Sequence, residues 1–193
     1  MINYDFINAV LAKYEGKAYA RGYVPCKGGE PLGASGVTIG TGVDLGQQTR
    51  EGLSAMGVPE DILVILTPYI GLKKQAALKK LLSAPLVLTV DQVEILDAVV
   101  HKHYIDDTAQ KFGEERFTNA PKEAQAVAVS LCYQFGTPSR AVSPSLGLAW
   151  QAMRDGNYKY AASHLTNSRG WSTDHQQYMG RRKQEAALLN AIG

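Results

Sequence analysis

Gly36-Val37-Thr38-Ile39-Gly40-Thr41-Gly42-Val43-Asp44-Leu45-Gly46 is the stretch on which the reading of this chain turns. Short apolar and β-branched steps broken by glycines predict a hairpin in which Val37, Ile39 and Val43 turn toward a core. Thr38 and Asp44 then remain available at a cleft. A phosphate loop is the competing reading of Gly40-Thr41-Gly42-Val43-Asp44-Leu45-Gly46. It lacks the dinucleotide spacing, however, and puts an acid where phosphate would sit.

A second acid stands upstream. Glu15 follows the amphipathic run Phe6, Ile7, Val10, Leu11 and Tyr14 and is followed at once by Gly16, the pattern of a helix C-terminus. A carboxylate there faces the negative end of the helix dipole, which disfavours its charged form. That suits an acid that must keep its proton. Glu15, Thr38 and Asp44 thus supply an acid, a hydroxyl and a second carboxylate, the parts needed to hydrolyse a glycosidic bond.

The segment Tyr14-Glu15-Gly16, followed by Gly36 through Asp44, resembles the muramidases related to phage lysozymes, and within them the pesticin-type branch. In that branch the catalytic set runs Glu, then Thr in a T-I-G stretch, then Asp six residues later. Here Thr38 lies 23 positions after Glu15 and Asp44 lies 6 after Thr38. Phage lysozymes proper carry their Asp before the threonine, and on that pattern Glu30 would stand in for Asp44. Tyr133-Gln134-Phe135-Gly136 resembles the aromatic-Gln-apolar-Gly stretch that lines the glycan cleft in phage lysozymes. Ala161 to Trp171 resembles their final core segment, and Gly180-Arg181-Arg182-Lys183-Gln184-Glu185 their closing helix.

The resemblance implies a lysozyme-like α+β fold. One catalytic domain over residues 1–193 would hold a small β-containing lobe (about 15–85) and a larger helical lobe (about 86–193 with 1–14). A long helix would join them, with the active-site cleft between. It also implies hydrolysis of the β-1,4 bond between N-acetylmuramic acid and N-acetylglucosamine in peptidoglycan, as a phage endolysin or a bacteriolytic toxin. Glu15, Thr38 and Asp44 would be catalytic, with Tyr133, Gln134 and Phe135 as glycan contacts. Because a hydroxyl would position water, inversion is expected, with about 6.5 to 9.5 Å between the carboxyl groups. A lytic transglycosylase and a non-catalytic peptidoglycan-binding module of a phage tail are the alternatives.

The residues agree with that frame. At 193 residues and 45% hydrophobic the chain can bury one good core, divided or not around a cleft. A net charge of +2 falls short of what nucleic-acid binding calls for. No apolar run is long enough for a membrane span, and Met1-Ile2-Asn3-Tyr4-Asp5 does not open a signal peptide. Cytoplasmic synthesis is therefore expected. The resemblance implies action on peptidoglycan in the periplasm or outside the producing cell, and a monomer is expected. Arg181-Arg182-Lys183 reads as the solvated basic face of a core-packing last helix.

Cys26 and Cys132 have no metal or redox spacing and read as free thiols. His101 and His103 do not share a helix face. His164 and His175 flank a loop, but a polar packing role is expected for each histidine, with no metal and no cofactor. Strand-like segments are confined to about 17–45, with helices near 48–57, 60–66 and 71–83. Thr89 with Gln92 predicts a capped long helix bearing Val93, Leu96, Val100 and Tyr104 on one face. Further starts are read at Pro121, at Ser143-Pro144 and at Asp174 with Gln177.

Overall fold

The computed structural model describes residues 1–171 and 178–193, so the helix start read at Asp174 and Gln177, and His175, lie outside the described residues. Helix α1 (Tyr4–Glu15) ends where expected, at Gly16 with φ 81°. Short strands follow: β1 (Tyr19–Tyr23), β2 (Cys26–Lys27), β3 (Glu30–Pro31), β4 (Thr38–Gly40) and β5 (Val43–Asp44). They form an antiparallel three-stranded sheet in the order β1-β4-β5 and a separate β2-β3 hairpin. Most of the other described residues are helical: α2 (Arg50–Met56), α3 (Glu60–Leu66), α4 (Lys74–Ser83), α5 (Val90–Phe112), α6 (Glu114–Asn119), α7 (Lys122–Phe135), α8 (Pro144–Arg154), α9 (Tyr158–Thr166) and α10 (Met179–Asn190).

Local chemistry explains most boundaries. The Thr49 hydroxyl accepts from Gly52 N at 2.9 Å to open α2, and Gly57 in the left-handed region closes it. Thr89 and Gln92 make both bonds of a capping box: the Gln92 side chain accepts from Thr89 N at 3.1 Å and the Thr89 hydroxyl from Gln92 N at 3.2 Å. Along α5, Val93, Leu96 and Val100 are buried. Ser143 caps α8 ahead of Pro144. The helix expected over 71–83 begins only at Lys74. Gly71 turns with φ 75°, Lys73 is extended and bridges Gly36, and Lys74 itself has φ 53°. This segment is drawn into pairing behind the hairpin instead of into the helix.

By compactness the chain divides into two units, Glu15–His103 and Met1–Tyr14 with Tyr104–Gly193. The second is built around α7, where every residue from Ala124 to Cys132 is buried. A helix buried all round needs small side chains where neighbours press closest, and alanine occupies 124, 126 and 128. Phe112 meets Phe117 and Trp150 edge-on, with centroids 5.7 and 5.1 Å apart.

The last helix departs from the expected solvated basic face. Arg182 is fully buried: it pairs with the buried Glu185 at 2.7 Å and donates to Gln134 Oε1 at 2.7 Å. Its guanidinium lies over the rings of Phe135 and Trp171. Burial pulls its pKa down to about 10, against the pull of Glu185.

Both cysteines are free thiols, Cys26 exposed and Cys132 buried. Among the described residues, no helix is long and apolar enough to cross a membrane. Replacing Thr89 by alanine removes a cap bond and is expected to cost about 0.5–2 kcal/mol in urea unfolding, with an unchanged m-value.

Candidate active site

The hairpin β4-β5 pairs Thr38 directly with Asp44 and Ile39 with Val43. Directly opposed residues share a face, so the six-residue spacing between Thr38 and Asp44 closes across the turn into adjacency. Val37, Ile39 and Val43 are buried, as expected. Thr38 is more enclosed than expected, at 5% exposure, because it lies on the middle strand of the sheet. Its hydroxyl oxygen nonetheless makes no hydrogen bond among the described residues and is not sealed from solvent.

Asp44 is half-buried and held by one oxygen. Its Oδ1 accepts from Gly36 N at 3.0 Å and from Gly46 N at 2.9 Å, while Oδ2 makes no hydrogen bond among the described residues and keeps access to solvent. The two donors converge because two glycine backbones touch. A Cβ on Gly36 would sit 2.5 Å from Gly46 Cα and 2.6 Å from the Leu72 carbonyl oxygen. A Cβ on Gly46 would meet the same carbonyl at 2.7 Å. Behind this contact Lys74 N donates to Ser35 O and Gly71 N to Leu45 O.

The hairpin tip is tied to α5. Asp97 Oδ1 accepts from Thr41 N at 3.0 Å, and the Thr41 hydroxyl lies 2.9 Å from His101 Nε2. All three residues are buried. Gly40, at φ 63°, admits the Asp97 carboxylate where a Cβ would lie 2.3 Å from Oδ1. Burial pushes the Asp97 carboxyl up and the His101 imidazole down; the charges of Asp97 and Glu15 partly oppose the shift at His101. His101 is therefore a polar packing residue of the hairpin, as expected.

Glu15 is half-buried at the end of α1, and its charge acts on both His101 and Tyr23. Tyr23 pairs with Thr38 across β1-β4, so Tyr23, Thr38 and Asp44 form one row across a single face of the sheet. Its phenol is raised by burial first, then by Tyr19, Glu15 and Asp44. Glu30 lies outside this row. It is exposed on the separate β2-β3 hairpin and accepts from Gln75 Nε2 at 2.6 Å.

Tyr133, Gln134 and Phe135 belong to the other unit, in the last turn of α7. There Tyr133 meets Tyr104 edge-on, Gln134 accepts from Arg182, and Phe135 packs on Trp171. Among the described residues no group of three His, Cys, Asp or Glu side chains is placed to hold a metal. Sequence reasoning missed Tyr23, Thr41 and Asp97, and read His101 as a packing residue without its partner at the hairpin tip. Only a polar pair four apart at Asp97 and His101, on the buried face of a helix, hinted at the clamp.

The fold is that of the lysozymes. A crystal structure of a P22 lysozyme mutant matches with a TM-score of 0.55 at 16% identity, covering 99% of this chain and 99% of that one. No curated protein matches. The family described as "Pesticin: Bacterial toxin homologue of phage lysozyme, C-term" matches residues 1–159, and the chain belongs to it. Membership places the chain among the lysozyme-type peptidoglycan hydrolases.

Gly46→Ala forces a Cβ against the Leu72 carbonyl and within 3.0 Å of Asp44 Oδ1. It is expected to cost about 1–3 kcal/mol in denaturant unfolding, as overpacking does, and to lower peptidoglycan hydrolysis beyond the loss of folded protein. A second expectation concerns pH. His101 binds its proton less readily in the fold than in the unfolded chain, so the unfolded chain gains protons first as pH falls below about 6.5. Stability is lost through that window. Asp97, raised in the fold, acts with the opposite sign, gaining stability as pH falls through the carboxylate range. Melting curves between pH 7.5 and 5.5 should show the decline in the parent protein and a shallower one in His101→Gln.

Proposed function

We propose that this protein hydrolyses the β-1,4 bond between N-acetylmuramic acid and N-acetylglucosamine, with inversion at the anomeric carbon. Glu15 protonates the leaving glycosidic oxygen as general acid. Asp44 takes a proton from a water on the opposite face of the sugar, and the Thr38 hydroxyl holds that water. The observation that carries this reading is the pair Thr38 and Asp44. They face each other across the hairpin, with one carboxylate oxygen anchored by two backbone donors, while the other carboxylate oxygen and the threonine hydroxyl make no hydrogen bond among the described residues. An anchored carboxylate beside a hydroxyl suits a water that must be oriented before it attacks.

The same row supports Asp44 over Glu30 as the second carboxylate. Glu30 is committed to Gln75 on another hairpin. Tyr133, Gln134 and Phe135 serve as further glycan contacts. The reaction draws on no cofactor, the protein acts as a monomer, and its target is peptidoglycan in the periplasm or outside the producing cell. Wall lysis, as endolysin or as toxin, is the biological outcome of this chemistry.

Mass spectrometry of fragments released from purified peptidoglycan tests the assignment. Wild type is expected to leave reducing N-acetylmuramic ends, and Glu15→Gln and Asp44→Asn to lose at least about a hundredfold in rate, in the range of general acid–base effects. The side-chain amide in Asp44→Asn can still accept the two backbone bonds through its oxygen, so the melting temperature of that variant should stay close to that of the parent. Anhydro ends would instead mark a transglycosylase. Full activity in Asp44→Asn would overturn the role given to that carboxylate, and no fragments from wild type would leave a binding module.

A further inference from the structure

The row across the sheet does not end at Thr38. Tyr23 continues it on β1, and Tyr19 stands beside Tyr23 with ring centroids 5.2 Å apart in an edge-on arrangement. Four residues apart on a regular strand would put these rings about 13 Å from each other. The register explains the contact. Tyr19 pairs with Gly40 and Tyr23 with Thr38, so a four-residue step in β1 faces a two-residue step in β4. The irregularity folds the extra length away and brings both tyrosines over neighbouring positions of one face. Within the irregular stretch Gly22 lies close on its neighbours, where a Cβ would press on Leu86 and Val37 at 3.0 to 3.1 Å.

Both rings remain exposed, Tyr19 at 53% and Tyr23 at 37%. Folding alone therefore does not explain two large aromatics side by side on the face that carries Thr38 and Asp44. Pyranose rings present flat arrays of C–H groups edged by hydroxyls. A tyrosine offers the matching surface, an apolar ring face and a donor at its tip. We propose that Tyr19 and Tyr23 form a sugar-stacking wall at the site of cleavage, with the Tyr23 hydroxyl hydrogen-bonded to the sugar whose bond is broken. This inference rests on the hydrolase reading above and adds the residues that seat its substrate. Partial burial first, then the charges of Tyr19, Glu15 and Asp44, raise the Tyr23 phenol, so it stays protonated and able to donate.

The test uses soluble glycan-strand fragments of alternating N-acetylglucosamine and N-acetylmuramic acid. Binding is measured by titration calorimetry in the Glu15→Gln background, and kcat and KM in the active background. Tyr23→Phe keeps the ring and the fold and removes only the hydroxyl. It is expected to weaken glycan binding about threefold to tenfold, the range of a single hydrogen bond. Tyr23→Ala and Tyr19→Ala should weaken it about tenfold or more and raise KM to match. Thermal melts run on every variant separate a folding defect from a lost contact, because a purely structural role would lower the melting temperature and leave Kd and KM of the folded protein unchanged. Affinities and KM within twofold of the parent in all three variants would overturn the proposal. Tyrosine-dependent glycan binding in a wild type that releases no reducing ends would sink the hydrolase reading and leave the wall standing. Absence of any glycan binding would sink both.

Discussion

Everything at the candidate site hangs on the contact between two glycine backbones, Gly36 and Gly46. Their approach is closer than any Cβ would allow, and it turns both N–H groups onto one oxygen of Asp44. Asp44 in turn caps the short 3-10 turn over Leu45–Gln47, so the same carboxylate ends β5 and starts the next element. Anchor and turn thus meet in one residue. Remove the contact and Asp44 loses its anchor, the hairpin loses its exit, and Thr38 loses the partner it faces.

Such a hairpin is too short to hold itself. Strands of two and three residues form few ladder bonds, and an isolated two-stranded ribbon is marginal in water. Besides the pairing of β4 with β1, support comes from two sides. The segment from Gly71 to Lys74 gives up helix to pair behind the glycines, leaving Lys74 in a backbone region that side chains other than glycine rarely occupy. On the other side α5 presents Asp97 and His101 to the tip through Thr41. Buried polar groups of this kind are costly unless satisfied, and here the bonds they make fix where the turn lies. Rigidity at the site is thereby borrowed from a long helix, consistent with the need of a catalytic group to be held in place before its substrate arrives.

Much of this was legible in the sequence because it is local. The end of α1 at Glu15 follows from Gly16, the hairpin from the glycine spacing, and the start of α5 from Thr89 and Gln92. What escaped depends on partners distant in the chain. The late start of α4 is set by pairing of Lys73 with Gly36, which no helical periodicity over 71–83 reveals. Arg182 looks like a surface charge until Glu185, Gln134, Phe135 and Trp171 close around it. Tyr19 and Tyr23 become neighbours only through a register irregularity against β4, and an irregular register leaves no mark in the alternation of residue types.

The stereochemistry of the first product tests the central claim most directly. Proton NMR of a soluble glycan during the first turnovers reads the configuration at the new reducing end before mutarotation blurs it. An Asp44 that activates water held by Thr38 yields the α-anomer first, the inverted product of a β-linkage. The β-anomer first would mean retention and a different role for the carboxylate that Gly36 and Gly46 hold in place.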